Sequence, residues 1–211
     1  MEKFDYIKNT IVITNRNLVK GDYLTQIERV AKLKPHALIL REKDLNEQEY
    51  CELAVNVKKI CDRYNVELFI HSKPDVAKEI GCDSIHVSIR DVNGLHNSNA
   101  GIKSNSVDYT SKHKNHSFFK SISVSCHSLE DVQKAISGGA TQIILGTIFE
   151  TDCKKGLKGK GLEFVREIAE YCREHGNVPV YAIGGIKPEN LDAVIEAGAS
   201  GGCMMSYMME L

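Results

Sequence analysis

Eight short apolar runs, most of them rich in β-branched residues, alternate along this chain with longer stretches of helical period. The runs are Thr10 to Thr14, Ala37 to Leu40, Glu67 to Ile70, Ser84 to Val87, Ser121 to Val124, Gln142 to Leu145, Val178 to Ile183 and Gly202 to Met205. Continuous apolar runs suit strands buried on both faces, as parallel strands are. Repeated strand–helix units with eight strands favour a closed (β/α)8 TIM barrel over an open doubly wound sheet. The open sheet would carry five or six strands and a Gly-x-Gly-x-x-Gly loop after the first. No such loop follows Thr14. A length of 211 residues fits one barrel domain spanning 1–211.

The segments between the runs read as helices. Asn46 to Tyr64 puts Leu53, Val57 and Ile60 on one face. Ser128-Leu129-Glu130-Asp131 opens a helix in the manner of a capping box, and Gly138-Gly139 closes it. Pro188 falls in the first turn of another helix, which ends near Gly198. Arg90 to Lys120 is long and polar and holds at most one weak helix. Only five residues follow Ser206, so the final helix is expected to be shortened or missing. A homodimer is then expected, with a partner subunit covering the outer surface of the last strand.

A formal net charge of -1 excludes the dense positive charge on which nucleic-acid binders and basic membrane-surface proteins rely. Seven cysteines, an odd number with no C-x-x-C pair, lie mostly in apolar runs and argue for a reducing, cytoplasmic setting. The N-terminal residues lack the apolar core of a signal peptide, and no apolar run reaches transmembrane length.

Barrels of this kind carry their chemistry at the C-terminal ends of the strands. Gly184-Gly185 follows the seventh run and Met205-Ser206 the eighth, the usual phosphate position of the fold. Arg41 and Lys43, after the second run, place two cations over the opening unless they pair with Glu42 or Asp44. The stretch from Thr151 to Gly161, with Lys154 among its four lysines, suits an anion-clamping loop at the end of the sixth run. His127 lies beside a helix N-terminus, which disfavours the imidazolium and leaves the ring able to take up a proton near pH 7. No ligand cluster suggests a metal, and no cofactor is expected. Asp91 is the carboxylate that falls at the mouth of the third and fourth runs.

Together these residues resemble the thiamine phosphate synthase/TenI superfamily over nearly the whole chain. The shared elements are Val12-Ile13-Thr14-Asn15-Arg16, Leu40-Arg41-Glu42-Lys43, His86-Val87, Gly146-Thr147-Ile148-Phe149 with Thr151 and Lys154, and Ala182-Ile183-Gly184-Gly185-Ile186. Three stretches resemble TenI rather than the synthase: Phe69-Ile70-His71, Cys126 to Glu130, and Phe149 to Leu157. The synthase pattern has an Asn-Asp pair, serving magnesium and diphosphate, where this chain has His71-Ser72. It has a glutamine where this chain has Ile39.

The TenI resemblance implies a thiazole tautomerase of thiamine biosynthesis, an isomerase that aromatises a carboxylated thiazole phosphate by proton transfer. It puts the catalytic histidine at His127 and the phosphate on Gly184, Gly185 and Ser206, with Lys154 assisting. Thr151 and Met205 join the substrate site, and Arg41 or Lys43 is expected to meet the substrate carboxylate. Two other readings stay open: thiamine phosphate synthesis, a transferase reaction, and a non-catalytic ligand-binding or regulatory role.

Overall fold

The computed structural model describes residues 5–92, 94–97, 118–151, 156 and 158–211. Eight parallel strands close into one barrel: β1 Thr10–Ile13, β2 Ala37–Leu40, β3 Glu67–His71, β4 Ser84–Ser88, β5 Ser121–Cys126, β6 Gln142–Gly146, β7 Val180–Ile183 and β8 Gly201–Met204. Each strand pairs with the next, and β8 returns to β1 with Thr10 opposite Gly202 and Val12 opposite Met204. The TIM-barrel expectation is met.

Side chains alternate across each strand with period two. Ile11, Ile13, Ile39, Phe69, Ile144, Tyr181 and Cys203 point inward and pack together in the barrel lumen. Val12, Leu38, Leu40, Ile70 and Val124 point outward, into the layer between strands and helices. Almost every strand residue is buried, which is why the strands read in sequence as unbroken apolar runs rather than alternating ones.

The outer ring comprises α1 Tyr23–Lys32, α2 Glu47–Tyr64, α3 Pro74–Glu79, α4 Gly94–Asn97, α5 Leu129–Ser137, α6 Gly161–Glu174, α7 Pro188–Glu196 and α8 Ser206–Met209. Helix α2 starts with a reciprocal capping box between Asn46 and Glu49 and stops at Asn65, whose φ of 56° turns the chain left-handed. Its buried stripe is Tyr50, Ala54, Val57, Ile60 and Cys61, with the expected Leu53 at the stripe's edge. At α5 the Ser128 hydroxyl accepts from the Asp131 N–H. The Asp131 carboxylate accepts from the His127 N–H instead of closing the box on Ser128, so it anchors a mouth residue as well as the helix.

The final helix is shortened rather than missing. It is the single turn α8, whose Met208 and Met209 are buried. Gln26 of α1 donates to the Met208 carbonyl at 2.9 Å, and Arg29 donates to the Leu211 carbonyl at 2.7 Å. The glycines of β8 have a steric reason: a Cβ at Gly201 would stand 1.9 Å from the Asn9 carbonyl oxygen. One at Gly202 would stand 2.7 Å from Ile186 and 2.9 Å from Leu191. The weak helix expected within Arg90 to Lys120 is α4, and 98–117 lie outside the described residues. No helix among the described residues is long and apolar enough to cross a membrane.

Candidate active site

Thr14, just beyond β1, accepts from the Arg41 N–H at 2.9 Å and donates to Glu42 Oε1 at 2.7 Å. Glu42 is 3% exposed. It also accepts from the Arg16 backbone N–H, at 3.2 and 3.1 Å, and from the Tyr23 hydroxyl at 3.1 Å. Four donor contacts satisfy this buried carboxylate. The Arg16 guanidinium grips Asp44 with both terminal nitrogens at 2.7 Å and lies 3.8 Å from Glu42. Both acids of Arg41-Glu42-Lys43-Asp44 thus belong to Arg16. Among the described residues Arg41 and Lys43 form no ion pair, so the alternative in which they pair with Glu42 or Asp44 is not what the fold adopts.

The inward faces of β3, β4 and β5 carry His71, His86, Ser123 and Ser125. The His71 and His86 rings lie 5.6 Å apart between centroids. Each His86 ring nitrogen is 2.9 Å from a hydroxyl, Ser123 on one side and Ser125 on the other, and hydroxyls can serve either ring tautomer. Burial pushes the His86 imidazole down to about 3, with the neighbouring His71 and Arg41 adding to the shift. Burial, then Arg41, then Lys43, push His71 down to about 4.

His127 closes the next part of the rim. Its Nδ1 lies 2.8 Å from the Gly146 carbonyl oxygen, so Nδ1 carries the hydrogen, and the neutral ring presents its lone pair at Nε2. Asp131 holds the residue's N–H and the Lys160 ammonium donates to its carbonyl oxygen. Three fastenings on one residue fix the ring at the mouth.

Two strands further round, after β7, stands the glycine corner. Gly184 and Gly185 have φ of 102° and 66°, in the left-handed region that side chains avoid. A Cβ at Gly184 would approach Thr147 Cγ2 to 2.4 Å, and one at Gly185 would come within 2.8 Å of the Glu150 carbonyl oxygen and of Phe149 Cβ. Asn190 of α7 donates to the Gly185 carbonyl at 2.8 Å and pins the turn.

Arg41, Lys43, His127, Thr151, Gly184, Gly185, Met205 and Ser206 all line one open cavity of about 1300 Å³ at the strand C-termini. Lys154 lies outside the described residues. Its loop contributes Lys158 to the wall. Sequence reasoning missed Lys187, which lines the same cavity beside the glycine corner. Its signal was available, because it immediately precedes Pro188 at the start of α7. Ile13, Ile39, Ile144 and Ile183 give the cavity an apolar floor, suited to a flat ring with anionic ends.

Magnesium asks for several oxygen ligands in near-octahedral order. Among the described residues no three His, Cys, Asp or Glu side chains gather to hold a metal. Asp91 accepts the Ser88 hydroxyl at 2.7 Å, and the place of the synthase pattern's first aspartate is taken by Ser72. Glu150 lines the cavity after β6, so the β3–β4 end offers magnesium the single carboxylate of Asp91 beside two cations and the His71 ring, a donor set of the wrong charge for that ion.

Comparison with known proteins bears on the chemistry. The family described as "Thiamine monophosphate synthase" matches residues 10–208. The thiamine-phosphate synthase of Clostridium tetani is 30% identical over 199 residues, covering 94% of this chain and 86% of that protein. That of Clostridium acetobutylicum is 30% identical over 210 residues, covering 99% and 90%. In fold, the chain is similar to the thiamine phosphate pyrophosphorylase of Pyrococcus furiosus, with a TM-score of 0.76 at 23% identity over 98% of this chain and 89% of that one.

These relatives are transferases by name, and they overturn the expectation of a thiazole tautomerase and of an isomerase. The physical reason is that the mouth features weighed for that reading do not discriminate. A glycine corner without room for side chains, flanking cations and a fixed imidazole suit any barrel handling a phosphorylated ring. Much of the Phe149 to Leu157 stretch, which carried the TenI likeness, lies outside the described residues.

Proposed function

Because this chain belongs to the thiamine monophosphate synthase family, we propose that it is a transferase joining a pyrimidine diphosphate to a thiazole phosphate. A carbon–nitrogen bond forms to the thiazole nitrogen, the bond from the pyrimidine methylene carbon to the diphosphate oxygen breaks, and diphosphate leaves with the electron pair. The observation that carries this reading is the near full-length likeness to thiamine-phosphate synthases. The cavity supports it, because it offers two anion stations on one apolar floor: Arg41 and Lys43 at the β2 end, and Gly184, Gly185 and Ser206 at the β7–β8 end.

In this reading the β2 cations take the diphosphate and the glycine corner takes the thiazole's phosphate, with Thr151, Lys187 and Met205 around it. The cavity holds the two rings in contact, which removes most of the entropic barrier to their meeting. Positive charge develops on the pyrimidine as diphosphate departs. His127 Nε2, a lone-pair acceptor, meets the ring's amino N–H and stabilises that charge.

The test supplies both substrates in a buffer containing magnesium and measures thiamine phosphate by chromatography. Product formed catalytically, with His127→Ala slowed by about 100-fold, is the expected result. A wild-type rate no higher than the protein-free reaction would remove the transferase reading. Equal rates for wild type and His127→Ala would remove His127 from it.

A further inference from the structure

We propose that this chain takes its diphosphate-bearing ligand free of a divalent cation, with the charge met by Arg41 and Lys43, which Arg16 keeps unpaired. The inference rests on the transferase reading for the identity of the ligand. Its physical content rests on the geometry of the β2 end.

A diphosphate brought into a half-enclosed cavity needs its charge compensated, because the dielectric falls as water is displaced. Two sources are available to a protein: a metal ion held by carboxylates, or side-chain cations. The first source is poorly provided for at this end of the cavity, where Asp91 is the one lining carboxylate, already accepts the Ser88 hydroxyl, and stands beside Ser72 instead of a second acid.

The second source is unusually well provided for. Arg41 and Lys43 sit two residues apart with an acid between them and another after, an arrangement that would ordinarily neutralise itself. Here Glu42 is buried under Thr14, Tyr23 and the Arg16 backbone, and Asp44 is gripped by the Arg16 guanidinium. Among the described residues both cations therefore line the cavity with no ion-pair partner. Nearby His71 occupies the place where the synthase pattern puts the asparagine of its Asn-Asp pair, and adds no negative charge that a metal would need to bridge.

The probe is inorganic pyrophosphate, titrated calorimetrically into the full chain in excess EDTA and again in millimolar magnesium. The proposal expects dissociation constants within about 3-fold of each other, and a loss of about 30-fold in both buffers for Arg41→Met/Lys43→Met. Asp91→Asn serves as a second variant, remote from both cations in sequence, and is expected to bind pyrophosphate in magnesium as tightly as wild type. Tightening of wild type by more than about 10-fold in magnesium, or loss of that tightening in Asp91→Asn, would overturn the proposal. So would a double variant that binds like wild type. Metal-indifferent binding without any coupling product counts against the transferase reading alone. Coupling together with magnesium-dependent pyrophosphate binding counts against this proposal alone.

Discussion

Arg16 meets Asp44 through two parallel contacts of 2.7 Å, one from each terminal nitrogen of its guanidinium. The pair is partly exposed, so its direct worth to stability is small, on the order of 1 kcal/mol or less. Its effect is on the neighbouring cation, because it determines where the Asp44 charge resides. Arg16→Met frees Asp44 to neutralise Lys43 and is expected to weaken pyrophosphate binding by about 5-fold, with Asp44→Asn added to the same chain restoring it. Calorimetry on the two singles and the double closes the cycle. Weakening that Asp44→Asn fails to restore would show that Arg16 acts in some other way.

Glu42 supports a second prediction, on stability. Replacing it with Leu leaves the Thr14 hydroxyl, the Arg16 N–H and the Tyr23 hydroxyl facing a buried apolar side chain. The loss is expected to be about 3–5 kcal/mol, read as a shift of the urea midpoint, with Glu42→Gln in between. A Leu variant within about 1 kcal/mol of wild type would mean these donors find water instead.

The pH dependence of folding has a definite sign. His71 and His86 are held at about 4 and about 3 in the fold, and burial also lowers His36. An unfolded histidine titrates near 6.5. Between those values the unfolded chain binds protons that the folded chain refuses, so stability falls as the pH drops from about 6.5 toward 4. Urea titrations across that range should show the decline, and His86→Asn should flatten it. A His86→Asn profile parallel to wild type would exclude His86 as a source.

The glycine corner can be probed with one methyl group. Gly185→Ala places a Cβ 2.8 Å from both the Glu150 carbonyl and Phe149 Cβ at a φ of 66°. The turn must shift, and the KM for the phosphate-bearing thiazole is expected to rise about 10-fold or more while the fold survives. An unchanged KM would move the phosphate away from this corner.

Most of the barrel was legible because strands buried on both faces leave an unmistakable mark, and the strand bounds at β2 match the apolar run residue for residue. The C-terminal ends were less legible: β3, β4, β5 and β6 each continue into His71, Ser88, Cys126 and Gly146, where the pattern turns polar or small. Of that overhang His71, Ser88 and Ser125 line the mouth, so function and pattern compete there. Arg41, Lys43, His127 and the glycine pair could be found because mouth positions follow directly from strand ends. The sequestering role of Arg16 could not, since it depends on β1 and β2 lying side by side. Lys187 could have been found by the same rule, since it lies between Gly184-Gly185 and Pro188 at the strand end. The reaction class was least legible, because isomerase and transferase draw on the same anion stations.

The seam between β1 and β8 has a consequence for how this chain comes into being. Thr10, Ile11 and Val12 find their second strand partner only at Gly202, Cys203 and Met204, almost the whole chain later. During synthesis the edge of β1 waits with its backbone groups open to any passing strand, and the barrel cannot shut until β8 has been made. A chain cut short before β8 would therefore be an open sheet, prone to pairing with its neighbours, rather than a slightly shortened barrel.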